Sequence, residues 1–444
     1  MFSEWTINPF NMNIYKNSQF NVFFYHENKM IGYNGFTDEF LLLNPELHAI
    51  YDAISKTNEW SELKEVHPDF FNHLLKTGFI VSEDTNEVEK VKNVVREAEQ
   101  EQEKSYILTI NPTMNCNFKC WYCYETHIKA SKMTLETIES VCNHVKWVLD
   151  TKPNLQQFTL SWFGGEPLLY FHKTVVPILE KIAPLFKTRN VNFSSGFTTN
   201  GFLIDQKTVD ICKENNSAYF QITLDGHRER HNQVRYVSKE RGSYDEIISN
   251  IRLCLKNEAN VSVRVNVSEE TLENVIKISE DFQGLSAKEN EYLNFSFHEV
   301  WQEEKELTRD IQEVVNAFRD KGFNTLFQGV NIDTMRNSCY ADKRNHATIN
   351  YNGDVFKCTA RDFESSSREG TLGLDGEITW NEIYEKRMNS KFKNAPCLSC
   401  KLLPVCNGGC TQQALEHNEE YCLYDFDAER KTDIIRDKYL YYIS

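Results

Sequence analysis

The chain has 444 residues, 40% of them hydrophobic and 13% aromatic, with a formal charge of −16 at neutral pH. That is enough apolar material for several packed domains, and the acidity excludes non-specific nucleic-acid binding, which needs basic surface. No run of roughly 18 apolar residues is present to span a membrane, and the 13 cysteines are too many to leave unexplained.

The opening residues, Met-Phe-Ser-Glu-Trp-Thr, lack a basic stretch followed by an apolar one, so no signal peptide is read and a cytoplasmic location is expected. In that compartment the cysteines point to metal or cluster ligation rather than disulfides. Residues 20–26, 30–34 and 39–43 read as short strands separated by turn residues such as Asn28, Gly35 and Asp38. Asn44-Pro45 opens a helix with Leu47, Ile50, Tyr51 and Ile54 on one face, and a second helix over about 68–76 ends at Gly78 before a last strand at 79–81. This winged-helix-like plan over 1–85 resembles the precursor-peptide recognition elements fused to peptide-modifying enzymes. Such elements take up a leader peptide as an extra strand on a sheet edge. The plainer alternative is a structural cap. Residues 86–104 are charged, lack a strong apolar stripe and read as a linker or a solvated helix.

Over 105–310, six strand-like runs (106–111, 158–163, 191–198, 219–224, 261–267 and 294–300) alternate with helical stretches. The clearest helix is 134–149, where Thr134 can cap and Ile138, Val141, Val145 and Val148 follow helical spacing. Alternating β and α implies a parallel sheet, with its site at the C-terminal strand ends. After the first strand come Cys116, Cys120 and Cys123 at the spacing C-x3-C-x2-C, with Tyr122 before the third. Three thiolates can hold three irons of a [4Fe–4S] cube and leave the fourth open. A zinc knuckle would need a further ligand, for which His127 is the nearby candidate.

Cys116-x3-Cys120-x-Tyr122-Cys123 resembles the signature of the radical S-adenosylmethionine (SAM) enzymes. The resemblance implies a partial (β/α)6 barrel and a cluster whose open iron chelates SAM. Reductive cleavage of SAM then gives methionine and a 5′-deoxyadenosyl radical. The resemblance also implies SAM contacts from Gly164, Gly165 and Glu166 after the second strand and from Thr199 and Asn200 after the third. Arg235, beyond the fourth strand, is matched to a carboxylate. Asp225, His298 and Glu299 are candidate catalytic groups, each with a plainer reading as turn or barrel wall.

Residues 311–444 hold seven more cysteines in the order Cys339, Cys358, Cys397, Cys400, Cys406, Cys410, Cys422. The order resembles the SPASM domain of radical SAM enzymes that act on peptides. By that resemblance Cys339, Cys358 and Cys410 hold one auxiliary [4Fe–4S] cluster and Cys397, Cys400, Cys406 and Cys422 another, for three clusters in all. The spacing before Cys422 is shorter than usual, and no cysteine shortly precedes Cys339. Sulfatase-maturing members carry an acidic base immediately after the cysteine matching Cys358; here that position is Thr359. The reading is therefore a radical SAM peptide maturase that forms a C–C or thioether cross-link. It would be served by a precursor peptide and an electron donor such as flavodoxin or ferredoxin, with no nucleic-acid or membrane partner. The alternatives are a peptide epimerase, a sulfatase-type maturase, or a zinc-stapled peptide-binding protein.

Overall fold

The computed structural model describes residues 14–238, 240–300, 302, 305, 307–327 and 334–443; the opening hexapeptide lies outside them. They fall into two compact units. One is drawn from Met1–Glu99, Ile332–Ser338 and Asn389–Ser444, the other from Gln100–Asn331 and Cys339–Met388.

In the larger unit the six expected strands form as Ser105–Ile110, Gln157–Trp162, Asn192–Thr199, Tyr219–Leu224, Asn260–Val267 and Leu293–Glu299. They lie side by side in chain order, all parallel. Each crossover carries helical structure that covers one face, as right-handed βαβ units require. Helix Leu135–Thr151 starts where Thr134 accepts a hydrogen bond from Thr137 N at 3.1 Å. Its Ile138, Val141, Val145 and Val148 pack on Leu108, Leu160 and their neighbours in one continuous core. Each such side chain contributes about 1.5–3 kcal/mol on burial. Strand Asn260–Val267 shows the logic most plainly. Its valines 261, 263, 265 and 267 are fully buried in that core, while Ser262, Arg264 and Asn266 alternate onto the other face.

The sheet does not stop at residue 310. Asn324–Phe327 adds a seventh parallel strand beside the sixth. At the opposite edge, His346–Ile349 pairs in parallel with the first strand and leads into the antiparallel strands Asp354–Phe356, Gly370–Leu372 and Ile378–Trp380. The expected boundary between 105–310 and 311–444 is corrected accordingly: residues 339–388 belong to the sheet. His144, on helix Leu135–Thr151, fixes this extension. One ring nitrogen meets Gly376 O at 2.7 Å and the other Tyr106 Oη at 2.9 Å. Burial pushes its pKa down to about 4, against the opposing pull of the Gly376 carbonyl.

In the smaller unit, Asn21–His26, Lys29–Asn34 and Glu39–Leu43 form an antiparallel sheet. Asn44 caps helix Pro45–Thr57 by accepting from Leu47 N at 2.8 Å. Helix Pro68–Lys76 follows, with an unforeseen short helix at Trp60–Val66 before it. Tyr15–Asn17 pairs with Ile80–Ser82. The charged stretch 86–104 is mostly helix, Glu87–Gln102. Its Val91 and Val95 are a narrow apolar stripe, buried with Phe20, Met335 and Leu403. The separate N- and C-terminal domains are corrected too, since Val22, Phe24, Ile31 and Tyr33 share a core with Leu402, Val405, Ile435 and Tyr439. Among the described residues no helix is long and apolar enough to cross a membrane.

Candidate active site

The three-cysteine loop leaves the first strand after Ile110 and is held at several points. Phe118 is buried in the main core and meets Phe202 edge-on at 5.7 Å. Thr113 Oγ1 donates to Ser131 O at 2.7 Å, and Ser131 Oγ accepts from Met114 N at 2.8 Å, closing the loop at its base. The Gly164-Gly165 turn lies directly against it. Gly165 N donates to Thr113 O at 3.1 Å and Glu166 N to Asn115 O at 2.8 Å. A Cβ on Gly165 would sit 2.3 Å from Asn115 O, and one on Gly164, whose φ is +86°, 2.6 Å from Thr113 O. Both glycines thus bring one backbone against another.

Glu166 is 1% exposed. Its carboxylate accepts from Thr199 Oγ1 at 2.8 Å, Asn200 N at 2.8 Å and Leu168 N at 3.0 Å. Burial raises its pKa against these donors. Asn200 Nδ2 in turn donates to Asn117 Oδ1 at 2.7 Å, inside the cysteine loop. Three of the expected SAM-contacting residues therefore tie the second and third strand ends to that loop.

A second anchor holds Tyr122. Its hydroxyl lies 2.7 Å from both Asp225 oxygens, 2.6 Å from Arg235 Nη2 and 3.0 Å from Asn266 Nδ2. Arg235 Nε pairs with Asp225 directly, and both side chains are largely buried. Burial raises the Asp225 carboxyl, but the adjacent guanidinium outweighs it and the net shift is downward. Behind the pair, His231 Nδ1 accepts from Asp225 N at 3.3 Å and its Nε2 meets Ser243 Oγ at 3.0 Å. Arg235 is thus committed to Asp225.

The thiols sit close enough for Cys120 to raise the pKa of both Cys116 and Cys123, with burial the larger cause in each case. Cys116 is pushed up to about 12 and Cys123 to about 11. Thiols held protonated in this way become ligands only when a metal displaces the protons, and the sulfur-rich donor set fits an iron–sulfur cluster. His127 Nε2 is 3.6 Å from Cys123 Sγ. Next in the loop, burial and Asp362 push the Glu125 carboxyl up to about 8.

The sheet face turned away from the helices is polar. Register places Gln221, Ser262 and Asn294 in one row, Thr223, Arg264 and Ser296 in the next, and Asn266 beside His298. Ser262 donates to Asn294 at 2.8 Å, and His298 Nε2 lies 2.7 Å from Ser296 Oγ. Burial, then the Arg264 cation, pushes His298 down to about 3, so its ring is neutral. Glu299 alternates onto the opposite face. Arg264 and Glu125 are the residues that motif reading passed over. The signal for Arg264 was present, as a cation among the polar positions of a strictly alternating strand.

Cys339 and Cys358 flank Tyr340, and both raise its pKa after burial. Tyr340 Oη is 2.6 Å from Thr359 Oγ1, and Tyr124 Oη donates to Thr359 O at 2.7 Å. In the smaller unit, Cys397, Cys400, Cys406 and Cys422 line one pocket with Leu402, Leu403 and Tyr421. Burial, then the other three thiols, pushes Cys406 up to about 12. Asn394 Nδ2 donates to Cys397 Sγ at 3.1 Å, and both amide atoms of buried Asn407 lack a protein partner. Four sulfurs lining one pocket are a donor set that fits an iron–sulfur cluster. Cys410 also belongs to the smaller unit.

A profile of the Radical SAM superfamily matches residues 110–282. A cysteine-type anaerobic sulfatase-maturating enzyme of Clostridium novyi is 24% identical over 349 residues, covering 69% of this chain and 88% of the relative. The radical SAM cyclopropyl synthase TigE of Paramaledivibacter caminithermalis is 21% identical over 393 residues, covering 81% and 79%. Among solved structures, native anSMEcpe with bound AdoMet superposes with a TM-score of 0.56 at 20% identity, covering 76% of this chain and 98% of that one. Streptococcus suis SuiB bound to precursor peptide SuiA gives 0.54 at 17%, covering 91% and 97%. Their fold is the parallel-sheet α/β fold described above. Residues 110–282, with the three-cysteine loop at their start, are a radical SAM domain.

Proposed function

We propose that this radical SAM enzyme modifies a ribosomally made precursor peptide, forming an intramolecular C–C or thioether cross-link. The observation that carries the reading is the four-thiol pocket of the smaller unit, additional to the three-cysteine loop of the radical SAM domain. Cross-linking removes a pair of hydrogens from the peptide. One leaves as a hydrogen atom; the other leaves as a proton and an electron, which needs an acceptor beyond the SAM site. Cys116, Cys120 and Cys123 would hold the SAM-binding cluster, and Cys397, Cys400, Cys406 and Cys422 an auxiliary one. Cys339 and Cys358 would serve a third. When bound, SAM and the reduced cluster supply hydrogen-atom abstraction.

The chain's own residues hold this machinery in place. Glu166 and Asn200 fasten the start of the cysteine loop, and the Asp225–Arg235 pair fastens Tyr122 next to its third cysteine. The relatives' substrates support a peptide: the C. novyi relative is a sulfatase-maturating enzyme and SuiB was solved with its precursor peptide. The three-stranded sheet of the smaller unit would take the leader on an outer edge. Formylglycine formation is disfavoured because Thr359, locked between Tyr340 and Tyr124, stands where an acid would act. The reading also implies a cytoplasmic enzyme served by a flavodoxin or ferredoxin.

The test is tandem mass spectrometry on a candidate precursor peptide, incubated anaerobically with reconstituted enzyme, SAM and reductant. Loss of a pair of hydrogens, with fragments missing between two residues, is expected. Deuterium uptake without mass loss would mean epimerisation, and an unchanged peptide with SAM consumed would overturn the substrate assignment.

A further inference from the structure

Arg264 stands out on the polar face. It sits mid-strand on Asn260–Val267, between Thr223 and Ser296 in register. Its Nε donates to Asn266 Oδ1 at 3.0 Å, which fixes the plane of the guanidinium. Among the described residues it makes no ion pair, and neither Nη has a hydrogen-bond partner. The carboxylate it feels is Asp225, already paired with Arg235, and that influence is weaker than those of Tyr124, Tyr122 and Arg235. Burial works against its charge, yet a guanidinium stays protonated in proteins. His298 beside it is neutral, so the cation stands alone there. A half-buried charge without a counter-ion is costly. The cost is recovered when an anion arrives, and with Nε engaged the two free Nη groups present an end-on fork matched to a carboxylate.

We propose that Arg264 is a specificity-determining residue that binds an acidic side chain, Glu or Asp, of the peptide substrate. This deepens the peptide-modifying reading and rests on it. A carboxylate could also come from SAM, so the experiment separates the two sources. The full chain, anaerobically reconstituted, is tested by equilibrium dialysis against labelled N-acetylglutamate N-methylamide and its glutamine counterpart, each at saturating SAM. SAM affinity is measured in parallel. The wild type should bind the glutamate probe about tenfold more tightly than the glutamine probe, the size of a charge-assisted hydrogen-bond pair. Arg264→Gln should erase that preference while weakening SAM less than about threefold. Arg264→Lys, which keeps the charge but not the fork, should retain part of the preference and guards against misfolding of the first variant. Equal binding of the two probes by the wild type would overturn the proposal. So would a loss of SAM affinity in Arg264→Gln larger than the loss of probe affinity. Dialysis reads binding without turnover, so failure to modify the precursor peptide would count against the cross-linking reading and not against Arg264.

Discussion

Replacing Gly165 by alanine tests how the cysteine loop is held. The added Cβ would lie 2.3 Å from Asn115 O, 2.6 Å from Asn115 C and 2.9 Å from Met114 C, all backbone atoms that no rotamer change can move aside. Relief requires one backbone to retreat by about 1 Å, the difference from an ordinary contact of roughly 3.4 Å. That retreat pulls on the bonds from Gly165 N to Thr113 O and from Glu166 N to Asn115 O. Overpacking costs about 1–3 kcal/mol, and each strained backbone bond adds about 0.5–1.5 kcal/mol. Together the substitution should destabilise by roughly 2–6 kcal/mol. The damage falls one residue before Cys116, so loss of cluster should accompany loss of stability. The assay is urea denaturation of the iron-free chain, followed by circular dichroism, with iron and sulfide counted after anaerobic reconstitution. A Gly165→Ala chain that unfolds at the wild-type urea concentration and retains full iron would refute the account of this turn as a backbone-to-backbone seat.

Two further outcomes follow from the buried polar groups. Asp225→Asn should cost about 3–5 kcal/mol by leaving Arg235 as an uncompensated buried charge, measurable by urea denaturation; adding Arg235→Met should recover much of it, and a double variant as unstable as the single would sink the pairing argument. His144 is held neutral in the folded state with its pKa pushed down to about 4, below the ordinary 6.5 of a free imidazole. The unfolded chain therefore binds the proton first as pH falls, and stability is lost between about 6.5 and 4, amounting to about 3 kcal/mol. His144→Gln should flatten that limb of the stability profile, and an unchanged limb would show that another group causes it.

Local pattern was legible and partner identity was not. The alternating valines of 261–267 and the capped helix 135–151 declared themselves, because period and caps are written in adjacent residues. The cysteine spacings gave the cofactor class for the same reason. The sequence offered no means of seeing that Glu166 would be satisfied by Thr199 and Asn200, or Arg235 by Asp225, since these bonds join separate strand ends. Residue type at a strand end was legible; its partner inside the protein was not. The packing of helix Glu87–Gln102 was not legible because its apolar positions are few; Val91 and Val95 matter only once Phe20 and Leu403 are packed against them. Strand His346–Ile349 was missed because four residues carry little periodicity and their partner lies far back in the chain.

That last pairing has a consequence for how the protein is made. On the ribosome, Ser105–Ile110 acquires its neighbour Gln157–Trp162 early, but its other edge must wait for His346–Ile349, roughly 240 residues later. At a synthesis rate of about 5–20 residues per second, that edge stands unpaired for roughly 10–50 s. An open strand edge is a template for pairing with the wrong chain, and such distant contacts form slowly even in the finished polypeptide. Slower growth at low temperature or a supply of chaperone should therefore raise the yield of folded chain more than added iron does.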